Sequence, residues 1–190
     1  PTGFAQGVSI RGIPLVNLYA GDSQIFFVDS VTGSNGNPGT YLQPFATLDY
    51  AIGRCNANSG DKIFLFPLHA ETIAAAAGIA ADVAGISIIG LGAGATRPVF
   101  TFSAVASTFT VSAASITIQN IVGTPSIDAV TSGFVVSAAD CWLDIEWQDS
   151  TALIEAASAI LTTAAADRLT INLKYNGFTT GDAVVRAINL

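Results

Sequence analysis

Residues 109–115 read Phe-Thr-Val-Ser-Ala-Ala-Ser and run into Ile-Thr-Ile-Gln-Asn-Ile at 116–121. Residues 134–140 read Phe-Val-Val-Ser-Ala-Ala-Asp and run into Cys-Trp-Leu-Asp-Ile-Glu-Trp at 141–147. Residues 160–166 read Ile-Leu-Thr-Thr-Ala-Ala-Ala and precede Arg-Leu-Thr-Ile-Asn-Leu-Lys at 168–174. Phe109, Phe134 and Ile160 stand 25 and 26 residues apart. Ile79–Asp82 with Ile86–Ile89 fits the same scheme at a looser interval, and Ala183–Leu190 repeats part of it. A strand, a small-residue corner and a second strand recur with no helix between them. One such unit cannot bury its own apolar face, whereas stacked copies bury a continuous column. The pattern predicts an all-β fold: a right-handed parallel β-helix of about five short coils. At about 4.8 Å per coil the column is about 20–25 Å long.

Upstream of the repeats the chain changes character. Residues 1–24 carry Gly3, Gly7, Gly12, Pro14 and Gly21 and show no period, so they read as an extended N-terminal arm with a possible strand near Ile13–Leu18. Ile25–Asp29 reads as a strand and Ser30–Gln43 as a polar turn segment. Leu48, Ala51, Ile52 and Cys55 are spaced as one helix face, which predicts a capping helix at about 47–57, ended by Asn56, Asn58 and Gly60. Lys62–Phe66 is a further apolar strand. The organisation expected is an arm, 1–24, and a single β-helix domain, 25–190.

Composition narrows the function classes. The chain has 190 residues, 51% hydrophobic and only 11% charged, against roughly 25% charged in an average domain. Net charge is −7 with seven Lys and Arg, which disfavours a nucleic-acid partner. The apolar content excludes disorder. Cys55 and Cys141 are too few for a disulfide framework or, with one His, for a zinc site, and read as buried free thiols. Ile73–Ala95 is long enough to span a bilayer, but its five glycines and central Asp82 exclude a membrane helix. No signal-peptide pattern opens the sequence, and Pro1-Thr2-Gly3 reads as a start trimmed of its Met. No metal or cofactor is expected.

Four constellations could carry chemistry. His69 with Glu71 fits an acid/base pair but lacks a third partner, and reads as a turn hydrogen bond. Trp142, Asp144, Glu146 and Gln148 share one strand face, with Leu143, Ile145 and Trp147 on the other. Two carboxylates beside a Trp suit a glycosidase, while the simpler reading is an outward solvent or partner face. A lyase would want clustered Asp with a nearby base, and the bases Arg54, Lys62, Arg97, Arg168, Lys174 and Arg186 are scattered in sequence. Gly90–Ala95 imitates a dinucleotide fingerprint, but Pro98 stands where a helix should run, so it reads as a glycine corner. Asp29 with Ser34, Asn35 and Asn37 lacks the carboxylates of a calcium loop and reads as a polar turn.

The order Phe27-Val28-Asp29, then Gly33–Thr40, then Pro44–Leu48, then Ala51-Ile52, then Gly60–Pro67 resembles the opening of pectin-lyase-like β-helix proteins, where a helix plugs the column. With Leu68–Ile73, Asp82–Gly92, Arg97–Phe100 and the Ser-Ala-Ala coils, the chain resembles short β-helix virion proteins of tailed bacteriophages. That resemblance spans most of 25–190. It implies a structural protein, not an enzyme: a homotrimeric capsid decoration (cement) protein on the outer surface of the phage head, made in the host cytoplasm. Its partners would be copies of itself and the major capsid protein. The arm would grip the shell through Phe4, Ile10, Arg11, Ile13, Leu15, Leu18 and Tyr19. The rival expectation is a tailspike or glycan-degrading protein using Trp142, Asp144 and Glu146; a third is a small adhesin or fibre base.

Overall fold

The computed structural model describes residues 8–10, 13–15, 23–149, 151, 154–177 and 186–189. In the arm, β1 (Val8–Ile10) pairs antiparallel with β2 (Ile13–Leu15), so part of the expected extended arm is a two-stranded ladder. The column then runs through β3 (Ile25–Val28), helix α1 (Leu48–Ile52), β4 (Lys62–Leu65), β5 (Ala70–Ile73), β6 (Ile79–Ala81), β7 (Ser87–Gly90), β8 (Val99–Phe102) and β9 (Phe109–Val111). It continues through β10 (Thr117–Pro125), β11 (Phe134–Val136), β12 (Trp142–Gln148), β13 (Ser158–Thr162), β14 (Thr170–Asn176) and β15 (Arg186–Asn189).

Every pairing between coils is parallel. The first face is the sheet β3-β4-β7-β10-β12-β14; β5, β8 and the second half of β10 form the second face; β6-β9-β11-β13-β15 form the third. This is a parallel β-solenoid, consistent with the right-handed β-helix expected. About four full turns are present, with β14 and β15 as strands of a further one, where about five coils were expected. The repeat reading gave the register. Phe109, Phe134 and Ile160 are direct partners on the third face, with Ile79 below and Ile188 above them.

The alternation of strand residues places the core. Ile63, Leu65, Ile88, Ile118 and Leu143 point inward on the first face and are fully buried. Phe100, Phe102, Phe109, Phe134 and Trp147 pack as an aromatic string, with ring centroids 5.2 to 6.3 Å apart. Trp147 fits because residue 133 has no side chain: a Cβ there would lie 2.1 Å from the indole. The corners between the third and first faces also stack. Asn58, Gly85, Ser115, Asp140 and Arg168 all have φ between +50° and +75°. Each of the first four donates its N–H to the carbonyl just before the next corner residue.

Helix α1 closes the N-terminal end by burying Leu48, Ala51 and Ile52. It is shorter than the 47–57 expected from periodicity. After Gly53 the chain tightens, with Arg54 and Cys55 N–H reaching carbonyls only three residues back, and Asn58 and Gly60 at positive φ turn it into β4. Cys55 is half-buried and Cys141 buried, both as free thiols; burial pushes Cys55 up to about 12 and Cys141 in the same direction. Ile73–Ala95 holds strands β6 and β7, and no described helix is long and apolar enough to cross a membrane.

Candidate functional site

The outward side of the first and second faces carries a polar cleft of about 310 Å³. It is lined by Arg97, Asn120, Asp144, Ile145, Glu146, Asn172 and Lys174. The solenoid assembles it. Strand β12 places Asp144 and Glu146 two residues apart, and β14 places Asn172 and Lys174 directly beside them in register. Arg97 arrives from the turn before β8, 49 residues from Glu146. Asn120 sits at a bulge in β10, at φ +57°, and its amide donates to the carbonyls of Gly90 (2.8 Å) and Gly92 (3.0 Å). A Cβ at Gly90 would lie 2.2 Å from the Asn120 carbonyl oxygen, which is the packing reason for the glycine corner.

Glu146 is the centre of the cleft. It is outward by register yet only 3% exposed, because its neighbours fold over it. Arg97 Nη2 donates to Oε2 at 2.6 Å and Lys174 Nζ at 3.1 Å; Gln148 and Asn176 amides donate to Oε1. Burial pushes the carboxyl up, but the donors from Gln148, Arg97 and Lys174 outweigh it and hold it at about 2. A general acid of a glycosidase needs the opposite shift. Its bonds to Arg97, Lys174 and Asn176 make Glu146 a charge clamp between coils. Asp144 accepts from Asn172 at 2.6 Å. Trp142 is 37% exposed and lies outside the cleft lining. The bases expected to be scattered are thus partly gathered: Arg97 and Lys174 meet over one carboxylate, while Arg168 sits on a corner with Asp140 and Asp167.

His69 and Glu71 are brought together, but inside the molecule. His69 is fully buried. Its Nδ1 accepts the Ser30 N–H at 3.0 Å, which puts the ring proton on Nε2, and Nε2 donates to Glu71 Oε1 at 2.7 Å. The same Glu71 oxygen accepts the Leu48 N–H at 2.6 Å, the cap that Thr47 does not supply to α1. With its lone pair taken, this imidazole has no face for a substrate. The expected turn hydrogen bond is a buried network that fastens α1.

The polar turn behaves as read. Asp29 accepts from Val31 and Thr32; burial raises its carboxyl, and these bonds more than offset that and leave it lowered. Asn35 accepts the Ala46 and Thr47 N–H groups, and Asn37 donates to Pro44. Sequence reading missed Asp61, fully buried and accepting the Gln24 and Asn56 N–H groups at 2.7 and 2.8 Å. It also missed a buried cluster near the last coils. Asp149 accepts from Trp147 Nε1 (2.9 Å) and the Tyr175 hydroxyl (2.6 Å), and Glu155 is buried as well. Burial, the bond to Asp149 and the charges of Asp149 and Glu155 push Tyr175 upward. No local signal marks their burial, although Asp149 closes the acidic stretch begun by Asp144 and Glu146.

Of the residues assigned to shell binding, Phe4, Arg11, Leu18 and Tyr19 lie outside the described residues. Ile10 is in β1, and Ile13 and Leu15 are in β2. No group of three or more His, Cys, Asp or Glu is placed to hold a metal ion among the described residues.

No protein-family model and no curated protein matches the chain in sequence. Among solved structures, a rhamnogalacturonan lyase superposes with a TM-score of 0.52 at 15% identity. The match covers 85% of this chain and 45% of the lyase, so the chain spans less than half of that protein's length. The likeness shows a shared pectin-lyase-like β-helix fold, and at that identity it shows the fold alone.

Proposed function

We propose that the chain is a structural β-helix protein that works by packing its outer surface against partners. In its finest form this is a homotrimeric decoration protein on the head of a tailed phage, bound to the major capsid protein. The observation that carries the structural reading is the third face. Its outward column is Ala80, Thr110, Val135, Leu161 and Asn189, in register from coil to coil and without a charge. Such a column is flat and costs little to desolvate. Thr72, Thr101 and Thr124 repeat the theme on the second face. Tyr41 and Leu42 add exposed apolar area, 63% and 87% accessible, at the capped end. Beside the second face, the Glu146 charge is spent on Arg97 and Lys174. A rotationally symmetric assembly would bury the flat faces and close on itself.

Light scattering on the purified protein tests the first step. The expected mass is three times 19.4 kDa; a stable monomer overturns the trimer. Loss of phage-head stability when the protein is absent supports decoration, and its recovery with tail fibres instead of heads refutes it.

A polysaccharide-acting protein is the second reading, and one observation favours it. Arg97, Lys174 and Asp144 meet in an open cleft on a fold shared with a polysaccharide lyase. Release of unsaturated sugars from acidic polysaccharide by wild type, lost in Lys174→Ala, would establish it. No release by wild type ends it.

A further inference from the structure

The outer cleft keeps hydrogen-bonding capacity that the fold does not use. Its two cations, Arg97 and Lys174, share the lining with two carboxylates, Asp144 and Glu146, so its formal charge cancels. Arg97 is engaged by the Gly94 carbonyl and by Glu146. Glu146 is engaged by Arg97, Lys174, Gln148 and Asn176. What remains lies on Asp144, Asn172, Asn120 and Lys174. Asp144 Oδ1 accepts from Asn172, and its Oδ2 has no partner among the described residues. Asn172 keeps its Oδ1 and a second N–H. Asn120 turns its amide nitrogen to Gly90 and Gly92 and keeps its Oδ1. Lys174 gives Glu146 one N–H of its three and is 68% exposed.

This mixture selects a ligand. A hydroxyl donates one hydrogen and accepts on two lone pairs, so neighbouring hydroxyls match acceptors interleaved with donors. A uronate or a phosphate fits badly, because Arg97 is already engaged and the Asp144 charge repels an anion. An apolar ligand would strand the polar groups. The cleft, about 310 Å³, stands at the small end of the range of about 300–1,000 Å³ in which small ligands are held. Asn120 and Asn172 are fixed by their own bonds, so little side-chain freedom is lost on binding. Trp142 stands one outward position before Asp144 on β12, about 7 Å along the strand, and is 37% exposed. Its neighbours in register are the small Thr117 and Thr170. An indole beside a polar cleft offers an apolar face to the C–H side of a sugar ring.

We propose that the cleft binds a neutral glycan and holds it without cutting it, one sugar on Asp144, Asn172 and Lys174 and the next stacked on Trp142. The inference rests on the polysaccharide partner of the second reading but not on its chemistry. Glu146, the carboxylate a hydrolase would need as acid, is fully engaged by the protein.

The full chain with a terminal tag is probed on an array of neutral glycans, with uronate-containing glycans as comparators. Neutral members should bind and the comparators should not; the best neutral hit is then titrated by calorimetry. Asp144→Ala should weaken it about tenfold or more, and Trp142→Ala several-fold. Asp144→Asn keeps the shape and should weaken it too, so a folding defect in the alanine variant cannot decide the result. Tyr41→Ala, at an exposed aromatic of the capped end, should bind as wild type does. The bound glycan should be recovered at its original mass. An array with no neutral hit overturns the proposal. So does affinity unchanged in both Asp144→Asn and Trp142→Ala, or recovery of a shortened glycan. Release of unsaturated sugars from acidic polysaccharide without neutral binding sinks this proposal and leaves the lyase reading standing. Intact neutral glycan with no such release does the reverse.

Discussion

The His69–Glu71 network and the Glu146 cleft use the same chemistry on opposite sides of the coil wall. In each, a carboxylate collects several donors. His69 is fully buried and the Glu71 side chain is 13% exposed, and apart from their bond to each other their partners are backbone groups of the turn and of α1. Glu146 is also hidden, at 3%, but its donors are side chains, and one of them, Lys174, is 68% exposed. The inner network fixes the chain locally, with both imidazole nitrogens engaged. The outer one holds neighbouring coils and still opens on solvent. A pair that reads as catalytic in sequence can therefore be wholly structural. A strand face that reads as solvent can enclose a buried charge.

The comparison breaks most sharply at His69. His69→Ala orphans the Ser30 N–H, removes a donor from Glu71 and leaves a cavity against Phe100. The expected loss is about 2–4 kcal/mol in urea unfolding; a loss too small to measure would mean that the cap is held by α1 packing alone. Glu146→Gln comes next. It leaves Arg97, only 16% exposed, without its counter-charge, at an expected cost of about 1–3 kcal/mol.

The pH dependence sharpens that second case. The Glu146 carboxyl is held at about 2 against an ordinary 4.5. A lowered folded value means the stabilisation is complete above about 4.5 and is lost as pH falls toward about 2. The stability gap between wild type and Glu146→Gln should thus be widest near neutral pH and close across that window. A constant gap would show that shape, not charge, matters at this position. Lys174→Ala should cost less than about 1 kcal/mol, since its ammonium is largely in water. Arg168→Ala, on a corner where Asp140 and Asp167 are also exposed, should leave the midpoint unchanged. A measurable loss there would make the corner column a structural seam.

Much of the fold was legible because a solenoid repeats its local pattern. Phe109, Phe134 and Ile160 announced the stacking, and Leu143, Ile145 and Trp147 announced their inward side. The helix was legible in kind but not in length, since apolar spacing continues through Cys55 while the backbone already turns at Gly53. Of the cleft, Asp144 and Glu146 were legible from strand alternation. Arg97 and Asn120 were not, because they lie on a turn and at a bulge, where the alternation lapses.

The sequence by itself determined the repeating coil, the inward column and the scarcity of charge, since these follow from a two-residue period and from composition. Only the tertiary structure decided which charges meet. Neighbours across a coil wall are one or two turns apart in the chain, 28 residues from Glu146 to Lys174 and 49 back to Arg97. Coil lengths vary with each corner, so no fixed spacing could pair those side chains in advance. The stacked backbone supplies that pairing, and with it the difference between a solvent face and a clamp.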